Sequence, residues 1–155
     1  MSPDEYTPAK IFTVEEANAR LPLVRVIVSD LMQLAADLSD RRERLSQLSR
    51  KPTGGSSDVY QAEVEQVEQE LEKESERLTG YLRELLELGV EPKSAMAGLV
   101  DFPAIVDGKL AYLCWKHGEP EVLYWHEIDA GFAGRQSLTA DSITGSDHSD
   151  GMFDA

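Results

Sequence analysis

The side chains best equipped for chemistry crowd into one stretch, Trp125-His126-Glu127-Ile128-Asp129, followed by Ala130-Gly131-Phe132-Ala133-Gly134-Arg135. Histidine and carboxylates are the ligand types that hold Zn, Mn or Fe. His126, Glu127 and Asp129 are therefore the candidate metal set, with a divalent metal as the candidate cofactor. Spacing argues against a simple chelate. Successive strand residues point to opposite faces, so His126 and Glu127 reach one ion only where the strand ends or bulges. Asp101, Glu127 and Asp129 are expected to share a face, and His126 would then need Glu119 or a residue of another subunit. The structural reading takes precedence: His126 bonds across a sheet, and Glu127 or Asp129 pairs with Arg135. Arg135, closing the glycine-containing loop, offers a fork for a carboxylate or phosphate. That loop lacks the strand–loop–helix setting of a dinucleotide or P-loop site. The competing reading locks Phe132 in an apolar pocket and Arg135 on an acidic neighbour. Cys114, expected mid-strand and buried, reads as core rather than as a nucleophile. The ligand-binding candidates are thus Asp101, Trp125, His126, Glu127, Asp129 and Arg135.

These residues need elements to hold them. Residues 1–12 read as an N-terminal arm. Thr13-Val14-Glu15-Glu16 is a capping box, with Phe12 and Ala17 placed for a hydrophobic staple, and Pro22 should kink the helix it enters. Ile27, Leu31, Leu34, Leu38, Leu45 and Leu48 recur at spacings of four and three, a heptad seam interrupted only by Arg41. Residues 51–57 (KPTGGSS) break the chain, and Ser57 or Asp58 can cap the next helix. A second seam runs Val64, Val67, Leu71, Glu74, Leu78, Tyr81, Leu85 and Leu88, stopped by Gly89 and Pro92. Folding the chain about residue 56 lays one seam against the other as a long antiparallel, coiled-coil-like hairpin. It also places Arg41 and Glu74 within reach of each other as a register mark; the alternative is that both snorkel to solvent.

Beyond residue 98 the apolar period shortens. Three strands are expected, at 98–106, 109–116 and 121–128, with Asp107-Gly108 as a type I′ hairpin turn and residues 117–120 as a second turn. The fold class is α+β, a helical hairpin followed by a small three-stranded antiparallel sheet. Pairing through both turns sends Phe102, Ala104, Val106, Ala111, Leu113, Trp115, Val122, Tyr124, His126 and Ile128 to one face. Asp101, Ile105, Leu110, Tyr112, Cys114, Leu123, Trp125 and Glu127 go to the other. Both faces are rich in apolar groups, and two helices cover only one. A partner subunit is the expected cover, making the protein a homodimer. Residues 13–135 form one domain; the tail, 136–155, has four Asp and no Lys or Arg and is expected to be disordered.

A net charge of -14 over 155 residues sets the chain against nucleic acid and anionic membranes. A single cysteine excludes an internal disulfide or a cysteine-based zinc cluster. MSPDEYTPAK has no basic segment leading into an apolar one, and no apolar run approaches the ~20 residues a membrane span needs. A cytoplasmic protein is expected. FTVEEANARLPLV, the helical middle, GLVDFPA and CWKHGEPEVLYWHEIDAGFAGRQ together resemble the bacterial family known as domain of unknown function 2203, over roughly residues 11–136. That resemblance implies kinship and no activity. Function then divides three ways. A non-enzymatic, self-associating interaction or scaffold protein ranks first. A metal- or small-anion-binding protein, or small enzyme, using the sheet and the GFAGR loop ranks second. A transcription accessory factor ranks last, because the hairpin tip SRKPTGG carries no acidic pair.

Overall fold

The computed structural model describes residues 6–50 and 57–139. Two helices, α1 (Val14–Arg50) and α2 (Ser57–Glu87), precede five strands: β1 (Glu91–Ser94), β2 (Leu99–Val106), β3 (Lys109–Lys116), β4 (Tyr124–Glu127) and β5 (Gln136–Ser137). Of the expected chain break at 51–57, residues 51–56 lie outside the described residues and Ser57 opens α2.

The capping box forms as the sequence requires. Glu16 N–H donates to Thr13 Oγ1 at 3.0 Å, and Thr13 N–H to Glu16 Oε1 at 3.1 Å, so two of the donors a helix start leaves open are satisfied. α1 continues across Pro22, which is exposed. There the carbonyl deprived of its N–H partner can bond water. Ala17, Leu21, Val24, Ile27, Val28 and Leu31 make the buried stripe that faces the sheet; Leu34, Ala35 and Leu38 extend it along the hairpin. α2 stops in a Schellman motif: Val90 N–H reaches Leu85 O at 2.9 Å and Gly89 N–H reaches Leu86 O at 3.0 Å. Gly89 sits at φ 87, and a Cβ there would meet Lys10 Cβ at 2.9 Å, so glycine is demanded by both backbone and neighbour.

The two helices run antiparallel, and Arg41 and Glu74 do meet. Arg41 Nε lies 2.9 Å from Glu74 Oε1 and Nη2 lies 3.1 Å from Oε2, a two-pronged clasp across the hairpin. Nearer the tip, Arg44 pairs with Glu63, and the Tyr60 hydroxyl donates to the Leu48 carbonyl.

The sheet corrects the expectation of three strands. It has five, in the order β1-β2-β3-β4-β5, each pair antiparallel. β1 (EPKS) and β5 (QS) are too short and too polar to announce themselves by alternation. Asp107 (φ 53) and Gly108 (φ 76) form the expected left-handed hairpin turn. Pairing continues past 135: Gln136 and Ser137 oppose Trp125 and Tyr124, and Leu138 N–H donates to Leu123 O at 2.8 Å. The remainder of the tail, 140–155, lies outside the described residues. On the other side, the arm is tied into the sheet, with Phe12 N–H donating to Pro103 O at 2.7 Å.

Register is the second correction. Leu113 opposes Trp125 and Tyr112 opposes His126, one residue away from the pairing that a tight turn at 117–120 would set. The connection is a wide loop pinned from three sides. Trp115 Nε1–H donates to Glu119 O at 3.0 Å, Val122 N–H to Asn18 Oδ1 at 2.8 Å, and Arg25 to Pro120 O at 3.2 Å. Because strand side chains alternate with period two, this one-residue offset turns all of β4 over. Trp125 joins Phe102, Leu113 and Trp115 in the core with α1 and α2. Tyr124 and His126 face outward, with Asp101, Tyr112 and Cys114.

Candidate functional site

The outer face of β2–β4 is where ionisable groups converge. Asp101 and Cys114 are direct neighbours across β2 and β3, and Tyr112 and His126 across β3 and β4. All four are buried. No partner subunit is needed to hide them. The loop after β4 folds back over this face, Ile128, Asp129, Ala130, Gly131 and Phe132 lining a cleft of about 260 Å³ together with Lys93, Asp101, Tyr112 and His126. The arm covers the neighbouring ground through Tyr6, whose ring meets that of Tyr112 edge-on at 6.4 Å.

At the floor of the cleft His126 Nε2 lies 3.1 and 3.0 Å from the two carboxylate oxygens of Asp101. Its Nδ1 lies 2.7 Å from the Glu127 carbonyl. A carbonyl can only accept, so Nδ1 carries a proton. Nε2 then either donates to the ionised Asp101 or accepts from its protonated form, and the pair is neutral overall either way. Burial pushes the Asp101 carboxyl above its ordinary range; His126 and the Cys114 thiol pull in the opposite direction without cancelling it. Burial also raises the Cys114 thiol to about 12, with the Asp101 charge reinforcing the shift. As a free thiol it is therefore inert as a nucleophile.

A second polar group borders the first. The phenols of Tyr6 and Tyr112 both donate to Glu91, the latter at 2.7 Å, and Lys93 Nζ reaches the same carboxylate at 3.1 Å. Burial alone would raise Glu91, but those donors outweigh it and hold the carboxyl low. Tyr6 is pushed up to about 12, by burial first and by the Glu91 bond second; Tyr112 rises further, by burial first and then by its bonds to Tyr6 and Glu91. Lys93 also sits 4.7 Å above the Tyr112 ring, so a cation overhangs the cleft.

The nominated residues therefore separate. Asp101 and His126 come together at 3.0 Å, where the expected face assignment sets them apart. Glu127, expected beside Asp101, is exposed and opposes Ala111 on the core face. Asp129 is exposed on the loop and lines the cleft. Trp125 is a core residue. Arg135 pairs with neither Glu127 nor Asp129. Its Nη2 alone donates to both Glu119 oxygens, at 2.7 and 2.6 Å, and the guanidinium stacks on Tyr124 and Phe132, with ring centroids at 4.0 and 4.6 Å. Its charge is thereby committed to an acidic neighbour, in line with the structural reading, while Phe132 remains exposed beneath it instead of filling an apolar pocket.

Among the described residues one group of three side chains of metal-ligating type lies close together: Asp101, Cys114 and His126, all buried, with their ligand atoms within 4.8 Å of one another. The sequence nominates His126 for that role and passes over Cys114. Register is the reason. With His126 placed on the core face, Cys114 has a carboxylate beside it, Asp101, but no imidazole. One criterion finds it: requiring both tryptophans, the largest apolar groups, to point into the core yields the observed pairing.

No helix among the described residues is long and apolar enough to cross a membrane. No curated protein and no solved structure matches the chain. Its residues 10–138 match the family described as uncharacterized conserved protein (DUF2203), and the chain belongs to that family.

Proposed function

We propose that this member of an uncharacterised family is a binding protein whose site is the cleft on the outer face of its sheet, with the helical hairpin as scaffold. One observation carries the reading: Asp101 and His126, each 2% exposed, are paired on the floor of an open cleft. A buried ion pair loses several kcal/mol of hydration per charge, and well-packed apolar side chains would serve the fold as well or better. Ionisable groups held dry beside a cleft are the usual mark of a site. The mixed lining, with Lys93 and Asp129 at the rim, suits a small charged or polar ligand. We place it in the cytoplasm, where an unpaired thiol such as Cys114 stays reduced.

Amide spectra of the full chain, titrated in turn with divalent cations, phosphate and small carboxylates, test this. Shifts should gather at Asp101, His126 and residues 129–132. Silence at the cleft with every probe, or shifts confined to the hairpin, would sink it.

Self-association is the second reading, and the exposed apolar pair Leu23 and Val26, one turn apart on α1, favours it. Light scattering should then report a dimer; a strict monomer at high concentration removes this reading and leaves the first intact.

A further inference from the structure

We infer that Asp101, Cys114 and His126 form a binding site for a borderline-soft divalent metal ion of the zinc and cobalt class, its remaining coordination position turned toward the cleft. The inference rests on the cleft reading and gives it a ligand.

Geometry is the first support. Zinc holds nitrogen and oxygen at ~2.0–2.2 Å and sulfur at ~2.3 Å, so ligand atoms around it stand roughly 3.3–3.8 Å apart in a tetrahedron. Here no two of the three donor atoms are more than 4.8 Å apart, and Nε2 already lies 3.0 Å from Asp101. Closing on an ion would draw the set in by about 1 Å from that outer limit.

Orientation is the second, independent support. A ligating imidazole is aimed by a hydrogen bond from its other ring nitrogen, which fixes the tautomer. His126 has that bond already, Nδ1–H to the Glu127 carbonyl at 2.7 Å. Nε2 is thus directed at Asp101 before any ion arrives.

Rigidity is the third. The donors sit on three adjacent strands, β2, β3 and β4, whose pairing sets their spacing. Carboxylate, imidazole and thiolate together suit zinc or cobalt; magnesium and calcium prefer oxygen alone. Binding would take the proton from Cys114 and the one shared by Asp101 and His126, leaving a thiolate, a carboxylate and a neutral imidazole on the ion. Three protein ligands with a position left for water or a ligand oxygen is the arrangement of an open site, distinct from a closed structural one. Asp129 borders the cleft and is not needed as a ligand.

The test uses the full chain, stripped with a chelator and titrated with Co2+ and then Zn2+. One equivalent of Co2+ should produce the near-ultraviolet charge-transfer band of a cobalt–thiolate bond and the visible bands of a tetrahedral ion. Zn2+ should bleach both. Cys114→Ser, nearly isosteric, should abolish the charge-transfer band and weaken Zn2+ binding by ~100-fold or more, beyond the 10–100-fold lost with a group that only orients a ligand. Asp101→Asn should weaken it comparably, and Glu65→Ala, an exposed position on α2 away from the cleft, should leave the band in place. Circular dichroism of each variant keeps unfolding from passing as ligand loss. No band in the wild type, or a band that survives Cys114→Ser, overturns the metal site. If phosphate or a carboxylate still shifts the cleft amides in that event, the binding reading stands and only the metal falls.

Discussion

Two acid–base pairs mark the two halves of this molecule, and they are held under opposite conditions. Arg41 and Glu74 clasp across the helical hairpin with side chains 35% and 14% exposed. Asp101 and His126 meet on the sheet with side chains 2% and 3% exposed. Water screens the first pair, so its value lies in alignment more than in strength. The second is almost wholly withdrawn from water, open only toward the cleft, and depends on partners of fixed geometry: the Glu127 carbonyl on one ring nitrogen and the carboxylate on the other. A helix seam gains register from a charge. A sheet of this size needs none, which is why the dry pair points to a ligand and the wet pair to assembly.

The largest expected effect breaks the sheet pair. His126→Ala strands the Asp101 carboxyl in a dry site and should cost about 3–5 kcal/mol in urea unfolding. Replacing both residues by leucine should recover most of that loss while abolishing any response of the cleft to ligands. Recovery of stability with binding retained would mean that the pair is not part of the site. On the hairpin the corresponding changes should be several times smaller. Arg41→Ala should lower the melting temperature slightly, and the Arg41→Leu, Glu74→Leu double variant should raise it while broadening the distances between spin labels on the two helices. Equal losses in every single and double variant would remove the register role.

A pH test sharpens the border between the halves. The Tyr6 phenol titrates at about 12 in the folded chain and near ~10 unfolded. A raised pKa of this kind stabilises fully below the unfolded value and is lost as pH climbs through the folded one. Unfolding free energy should therefore fall between about pH 10 and 12, and fall less steeply in Tyr6→Phe. Identical profiles for the two proteins would show that the arm does not seal the sheet. The smallest effect is that of salt. Raising ionic strength to ~1 M shrinks the screening length to about 3 Å, so a double-mutant cycle on Arg41 and Glu74 should lose most of its coupling. A cycle on Asp101 and His126 should keep it.

Much of the helical half can be read directly from the chain. Thr13 and Glu16 announce the capping box, Gly89 the helix stop, and two seams broken at Arg41 and Glu74 announce the clasp that forms. Each rests on short-range geometry, where a spacing of three or four residues states which side chains share a face. The central hairpin is legible for the same reason, since Asp107-Gly108 fixes the β2–β3 register through its own backbone angles. β1 and β5 are not, because their pairing comes from the neighbouring strand and not from their residues.

The candidate site marks the limit of such reading. Asp101, His126 and Asp129 stand out by type, yet who faces whom depends on how many residues the 117–123 connection spends before pairing resumes. That number is set chiefly by contacts distant in sequence, Asn18 of α1 capturing Val122 and Arg25 holding Pro120, with Trp115 drawing in Glu119 locally. One residue more or less exchanges the faces of β4. Residue types and their periods settle the helices, their clasp and the β2–β3 hairpin, because those obey local spacing. Only the packed structure decides that His126 meets Asp101 beside Cys114, because alternation in a strand leaves its two faces equivalent until something beyond the strand chooses between them.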